Sequence, residues 1–260
     1  MERWHPAGNK SAIMMKPRLY LTFALLALSL PAAASDSIRF VARAGYNLGA
    51  TTPMGMPASI SSIDAFRPSP SFMAGVDATW LVGQRWCLSA GLRLENKAMD
   101  ADITAKGYHM ELRKGAERIE GLFTGHVSQQ ASLWMLTLPV YATYTLTPKW
   151  QLKAGPYVSL MLSKDFSGTA SDGYLRQGGP TGPRIDIGDT PDTWATYDFS
   201  DEVRRLQLGL TLGADWQALP RLGFSLDLSM GFTGLFPADF STVEQTLYPL
   251  YGTLGVCYEL

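Results

Sequence analysis

Apolar and polar residues alternate with period two through most of the chain beyond its first few dozen positions, and helical periodicity is hard to find. Ile38, Phe40, Ala42, Ala44, Tyr46 and Leu48 interleave with Arg39, Val41, Arg43, Gly45, Asn47 and Gly49. The pattern returns at 72–82, 86–94, 134–146, 150–162, 206–216, 222–232 and 248–260. A tilted membrane-crossing strand needs about 9–11 residues, and these eight segments match or slightly exceed that length. The pattern predicts an all-β fold: an eight-stranded antiparallel up-and-down transmembrane β-barrel over 35–260, preceded by a cleaved signal peptide.

The connections alternate in length. Gly83-Gln84, Thr147-Pro148-Lys149 and 218–221 are tight turns, whereas 51–70, 95–133, 163–205 and 233–247 are long and rich in Gly, Pro, Ser and Asp. Short turns on one rim and long loops on the other are the asymmetry of outer-membrane barrels. The long connections read as external loops without structure of their own. As such they would be out of place in a compact soluble domain.

Period two alone does not say which face meets lipid. The polar face carries Gly45, Gly49, Gly75, Gly91, Gly155, Gly209, Gly213, Gly223, Gly231 and Gly255. A water-washed surface would favour longer polar residues. A narrow eight-stranded lumen instead needs small ones, because its interior has room only for the side chains that fill it. The apolar face therefore points outward. On it, each segment places an aromatic near the short-turn rim: Phe40, Trp80, Trp86, Tyr144, Trp150, Trp216, Phe224 and Tyr258. Amphipathic rings at headgroup depth form such a girdle, here expected on the periplasmic side. Tyr46, Phe72, Trp134, Phe232 and Tyr248 give a weaker opposite belt. Ten residues from Trp134 to Tyr144 cover roughly 33 Å of strand, or about 23 Å of depth at a 45° tilt.

The inward face holds Arg39, Arg43, Asp77, Arg93, Lys153, Arg205, Asp215, Asp227 and Glu259. Counted from the short-turn rim, Arg43 lies level with Asp77, Arg39 with Glu259, and Lys153 with Asp215. Buried charge persists when it is paired and hydrogen-bonded, so these residues predict a charge network that plugs the lumen. Cys87 and Cys257 also face inward, but on the third and eighth segments. Three strand steps around the ring put them about 15 Å apart, too far for a disulfide.

Composition narrows the class further. Net charge is −1 and pI about 6.3, which leaves no basic field for nucleic acid. Charged residues make up 17% and hydrophobic ones 46%, yet the longest apolar run, 19–30, is too short to span a membrane as a helix. That run follows Lys16 and Arg18 and precedes Ala32-Ala33-Ala34, the layout of a secretory signal peptide with cleavage after Ala34. Residues 1–34 are assigned to it, with Met14 or Met15 as the expected start and 1–13 upstream of it. The implied location is the outer membrane. The implied partners are its lipid, the barrel-insertion machinery and a protein or glycan at the loops.

The hairpin through Leu136-Thr137-Leu138-Pro139-Val140 and Leu152-Lys153-Ala154-Gly155-Pro156-Tyr157-Val158 resembles the PorT-like outer-membrane barrels common in Bacteroidetes. Leu206-Gln207-Leu208-Gly209-Leu210 and Leu254-Gly255-Val256-Cys257-Tyr258 are similar to that family's later strands. The resemblance spans about 38–260. It implies the fold and compartment, and admits a role as an assembly factor for a secretion system.

Candidate chemistry is sparse. Hydrolysis would need a His with a carboxylate and a nucleophile, and only His109, His126 and the nearby Ser128 fall together, in the second long connection. A lipid-modifying enzyme is one reading of them; solvated loop residues are the other. The third long connection carries Asp165, Asp172, Asp186, Asp189, Asp192, Asp198, Asp201 and Glu202, without the spacing of a calcium loop and offset by Arg176, Arg184, Arg204 and Arg205. Its Tyr174, Trp194, Tyr197 and Phe199 suit contact with a partner. No catalytic, cofactor or metal site is assigned. The expected function is that of a non-enzymatic barrel whose long external loops bind something at the surface.

Overall fold

The computed structural model describes residues 38–53, 59–114, 117–238, 240, 242 and 245–260, so the leader assigned to 1–34 lies outside the described residues. The strands are β1 (Ile38–Pro53), β2 (Ile60–Pro68), β3 (Phe72–Leu81), β4 (Trp86–Lys114), β5 (Glu117–Thr147), β6 (Trp150–Gln177), β7 (Arg184–Ile187), β8 (Ala195–Asp198), β9 (Leu206–Gln217), β10 (Leu222–Gly231) and β11 (Leu247–Glu259). Eight of them close on themselves in the order β1-β3-β4-β5-β6-β9-β10-β11, every pairing antiparallel. Each of the eight segments read from the sequence is one member of this ring.

The alternation decides which way each strand faces. Along β5, Thr137, Tyr141 and Thr143 are buried while Leu138 and Val140 are exposed. Leu88, Leu92, Leu152, Leu160, Leu208, Leu212, Leu226, Leu228 and Leu254 are likewise exposed on the outside. In water so continuous an apolar surface would drive association; against acyl chains it has the right solvent. Neighbouring strands stack the short-turn girdle ring on ring. Trp86 packs on Tyr144 at 4.9 Å, Trp216 on Phe224 at 5.8 Å and Trp150 on Trp216 at 6.4 Å between centroids. At the other rim, Tyr46 meets Phe72 edge-on at 5.6 Å.

The long connections depart from the expectation. Instead of irregular loops, β4 and β5 continue as one ladder from Asn96↔Trp134 out to Lys114↔Glu117, and β6 follows β5 as far as Gln177. β2 adds to the free edge of extended β4, and β7 to that of extended β6. β8 bridges β6 and β4, which closes the outer part into a second, narrower ring.

The polarity of the wall inverts where this extension begins. On β5 above Trp134 the inward residues are Leu133, Ala131, Val127, Phe123 and Ile119, all buried, and the outward ones are Gln130, Ser128, His126 and Glu120. Below Trp134 the apolar side is the outer one. β6 changes phase by an irregularity at its own crossing, where Trp134 pairs with Ser163 but Met135 with Met161. Slipping one residue sends the next side chains to the opposite faces, so Phe166 and Ala170 point inward. β4 does the same at Gly107, whose φ of +66° is the left-handed conformation glycine adopts without penalty. Beyond it Met110 and Leu112 turn inward. The extension thus has its own core, which takes in Phe166, Tyr197, Phe199, Leu235 and Phe236.

Candidate functional site

The barrel interior is layered. Nearest the short-turn rim, Arg39 and Glu259 approach at 3.9 Å and stay partly exposed. Above them six charges from six strands form a closed ring in which each touches two of opposite sign. Arg43 donates from Nε to Asp77 at 2.5 Å and, through both Nη atoms, to Asp215 at 3.0 and 2.7 Å. Arg93 donates to Asp77 at 3.0 Å and to Asp227 at 3.3 Å. Lys153 closes the circuit, 2.8 Å from both Asp215 and Asp227. Tyr141 on β5 lies under the Arg93 guanidinium at 5.2 Å and near Lys153 at 5.8 Å. The registers that bring these groups together are offset by two residues: Arg43 sits opposite Gly75 and Lys153 opposite Gly213. Long cationic side chains reach past a glycine to the next carboxylate on the neighbouring strand. The small residues also make room, since a Cβ on Gly91 would fall 2.1 Å from Asp77 Oδ1.

Six of the nine inward charges named from the sequence therefore form the ring, and two more, Arg39 and Glu259, pair at its outer end. Arg205 does not belong there. It is exposed at the far end of β9, where its carbonyl accepts from the Met161 amide, because the chain there has already left the ring.

A second polar layer, outside the alternating segments of the sequence pattern, lies above the charge ring. Lys97 and Glu95 are both buried and 3.8 Å apart, and the Lys97 ammonium lies over the rings of Tyr157 and Tyr251 at 5.3 and 5.5 Å. Thr137 donates to Glu95, and Thr137 and Ser159 share a hydrogen bond of 2.7 Å. Asn47 donates to the Asn96 carbonyl at 3.0 Å and accepts from Thr253 at 2.6 Å. Between the two layers lies a cavity of about 20 Å³, bounded by Arg93, Asp227, Tyr141, Tyr157 and their neighbours. Roughly one water needs that much room, so the lumen is filled with side chains.

Above this polar stack the interior becomes apolar and opens into a cavity of about 340 Å³ inside the extension. Met99, Ile103 and Met110 of β4, Ile60, Ile63 and Phe66 of β2, Val127 of β5, and Phe166, Tyr197 and Phe199 line much of it. The upper end of β1, Ala50 to Pro53, makes one side, and no charged side chain belongs to the lining among the described residues. Burial drives the Tyr197 hydroxyl well above its ordinary pKa, so it stays neutral.

Other candidates are dispersed. His126 and Ser128 project outward from β5, but Ser128 gives its proton to Asp102 at 2.6 Å, while His126 Nδ1 faces Thr104 at 3.1 Å and Asp64 at 3.5 Å. Hydrogen bonds from Ser62 and Thr104 hold the exposed Asp64 below its ordinary pKa. His109 lies 3.5 Å from Glu120. The acidic residues of the third connection are spread along β6, β7 and β8 and the turns that follow β7 and β8, and no cluster of His, Cys, Asp or Glu suited to a metal ion occurs among the described residues. Of the aromatics there, Tyr197 and Phe199 stack on each other in the extension core and are not available to a partner at the surface. Tyr174 is covered by Arg184 at 4.3 Å. Cys87 and Cys257 are both free thiols, on β4 and β11, with β3 and β1 between them.

Among solved structures the chain is similar to the attachment invasion locus protein Ail of Yersinia pestis (9% identity over 86% of this chain and 99% of that one, TM-score 0.39). It is also similar to Neisserial surface protein A (10%, 86% and 97%, TM-score 0.38) and to OprG of Pseudomonas aeruginosa (12%, 86% and 96%, TM-score 0.35). No curated protein sequence matches it. Residues 32–237 match the family profile described as an outer membrane protein beta-barrel domain, which covers β1 to β10 and leaves β11 to close the ring. The chain belongs to the outer membrane protein beta-barrel family, and its compartment is the outer membrane.

Proposed function

We propose that this protein is a non-enzymatic surface-binding protein: the barrel is a sealed anchor, and the β-extension is the part exposed outside the cell that does the binding. The observation that carries this reading is the inversion of wall polarity at Trp134. A strand that is apolar outside and polar inside has lipid as its solvent. The same strand apolar inside and polar outside is a folded module in water. A chain needing only an anchor has no use for some fourteen to nineteen further residues of paired strand on each of β4, β5 and β6 combined with a cavity, whereas a binding module does. Against a catalytic role stands the contact of Ser128 with Asp102 in place of His126, since a nucleophile needs its base within hydrogen-bond reach.

Single cysteines in a Cys87→Ser/Cys257→Ser chain test this on intact cells. A membrane-impermeant maleimide should label Lys114→Cys at the extension tip and leave Gln84→Cys at the short turn unmodified. Labelling of Gln84→Cys alone would turn the barrel over and end the proposal.

A second reading, as an assembly factor for a secretion system, is favoured by the PorT-like hairpin, which falls on the paired strands β5 and β6. It requires stable association with other envelope proteins, so recovery as a lone monomer from mildly solubilised membranes counts against it.

A further inference from the structure

The geometry points to a specific ligand class for the cavity in the extension: we infer that it binds a small, uncharged, apolar molecule taken from the aqueous side. This rests on the extension being the binding module, and deepens that reading by naming what it takes. The cavity volume of about 340 Å³ falls within the ~300–1,000 Å³ typical of small-ligand pockets. About 150 Å³ of apolar cavity is enough to hold benzene. Among the described residues, polar atoms on the lining come only from uncharged groups such as Thr51, Thr52, Gln129, Tyr108 and Tyr197. A carboxylate or ammonium entering here would lose its hydration without gaining a counter-charge, which excludes charged ligands.

The way in follows from strand pairing. β1 pairs with β3 only as far as Tyr46↔Phe72, although it continues to Pro53 on its β11 side. β2 pairs with β4 over Ile60↔Ala105 to Pro68↔Met99, and no ladder joins it to β1 among the described residues. The edge of β1 that faces this seam finds a side-chain acceptor: the Thr51 amide donates to Met99 Sδ at 3.2 Å. Ile63 and Phe66 on β2 line the cavity and are also half exposed, which marks the seam as its mouth. Below it the wall is sealed by Ser71, whose carbonyl accepts from Asn47 and whose hydroxyl accepts from the Ala98 amide. Ala50 and Pro53 lie four and seven residues beyond the aromatic pair Tyr46–Phe72, roughly 9–16 Å higher at a 45° tilt. The mouth therefore opens above the acyl layer, and the ligand comes through water rather than sideways from lipid.

Methionines supply internal reporters. Met99 and Met110 line the cavity, Met73 sits in the lumen, and Met230 lies on β10 with the outward-facing positions. In full-length protein carrying 13C-methyl methionine in lipid nanodiscs, naphthalene should shift Met99 and Met110 in a saturable way and leave Met73 in place. Decanoate at the same concentration should shift neither cavity methyl. Ala101→Phe fills the cavity and should abolish the naphthalene response, with an unchanged Met73 signal reporting an intact barrel. Gln129→Lys, which introduces a charge at the lining, should weaken binding at least tenfold and guards against a packing failure of the first variant. Unmoved Met99 and Met110 up to the solubility of naphthalene, or equal shifts in wild type and both variants, overturn the ligand assignment. The surface location of the extension is decided separately by the maleimide experiment.

Discussion

Asp77→Asn keeps the shape of the side chain and removes only its charge. The carboxylate is 1% exposed and accepts from Arg43 at 2.5 Å and Arg93 at 3.0 Å. The six-membered ring would pass from three charges of each sign to three positive against two negative. Two guanidinium groups would lose their shared counter-ion where no bulk water can replace it. Removing one partner of a buried ion pair costs about 3–5 kcal/mol. That is a drop of roughly 150- to 5,000-fold in the folded-to-unfolded ratio. Urea unfolding in phospholipid vesicles, followed by tryptophan emission, reads this directly. Adding Arg93→Met restores neutrality, so the double variant should be more stable than the sum of the two single losses predicts, by at least about 1 kcal/mol. A loss below about 1 kcal/mol for Asp77→Asn, with the double variant additive, would mean hydrated and independent charges and would refute the plug.

Purified protein in planar bilayers should show no steady single-channel conductance, because the charge ring and the Lys97 layer leave no continuous path; stable steps would contradict this. Gly91→Ala should cost about 1–3 kcal/mol by pushing on the Asp77 carboxylate, and nearly nothing in an Asp77→Ala chain, where that oxygen is gone. Leu112→Ala, at a fully buried site in the extension, should cost the extension about 2–5 kcal/mol, read as faster amide exchange in the outer parts of β4 and β5 with the barrel amides unchanged. Non-reducing mass spectrometry of protein taken from membranes should find Cys87 and Cys257 as free thiols; a linked peptide would mean that the strand order is wrong.

The ring itself was legible because lipid and a narrow lumen impose opposite demands on alternate residues. Glycine against leucine is a strong contrast, and the girdle aromatics fixed the strand ends. The charge network was legible in part. Inward parity picked out Arg43, Asp77, Arg93, Lys153, Asp215 and Asp227, but the contacts that close the ring across the lumen, Arg43 with Asp215 and Arg93 with Asp227, join strands that are not neighbours, which counting levels from strand to strand does not reach. Glu95 and Lys97 were lost for a different reason. The apolar outward pattern of the third segment ends at Leu94, where leucine gives way to Asn96, although the inward series Arg93, Glu95, Lys97, Met99 continues unbroken. The extension was hidden by the same rule that revealed the barrel. A template of apolar outside and polar inside fails once the solvent changes from lipid to water, and the phase changes near Gly107 and Leu162 obscure it further. Ile119, Phe123, Val127, Ala131 and Leu133 carried the missing signal: a period-two apolar face in a stretch assigned to loop.

The central claim is that inversion, and a spin-label scan along β5 tests it most directly. Labels are placed singly from Glu120 to Tyr144 in the cysteine-free chain in vesicles, and their exposure to oxygen and to a water-soluble nickel chelate is compared. The account predicts oxygen-dominated exposure at the even positions Leu136, Leu138 and Val140, and nickel-dominated exposure at Ser128 and Gln130. At Phe123 and Ala131, buried in the extension core away from the cavity, access to both should be low, with slow label motion. Mobile, nickel-exposed labels at odd and even positions alike above Trp134 would show an unstructured loop and contradict the account.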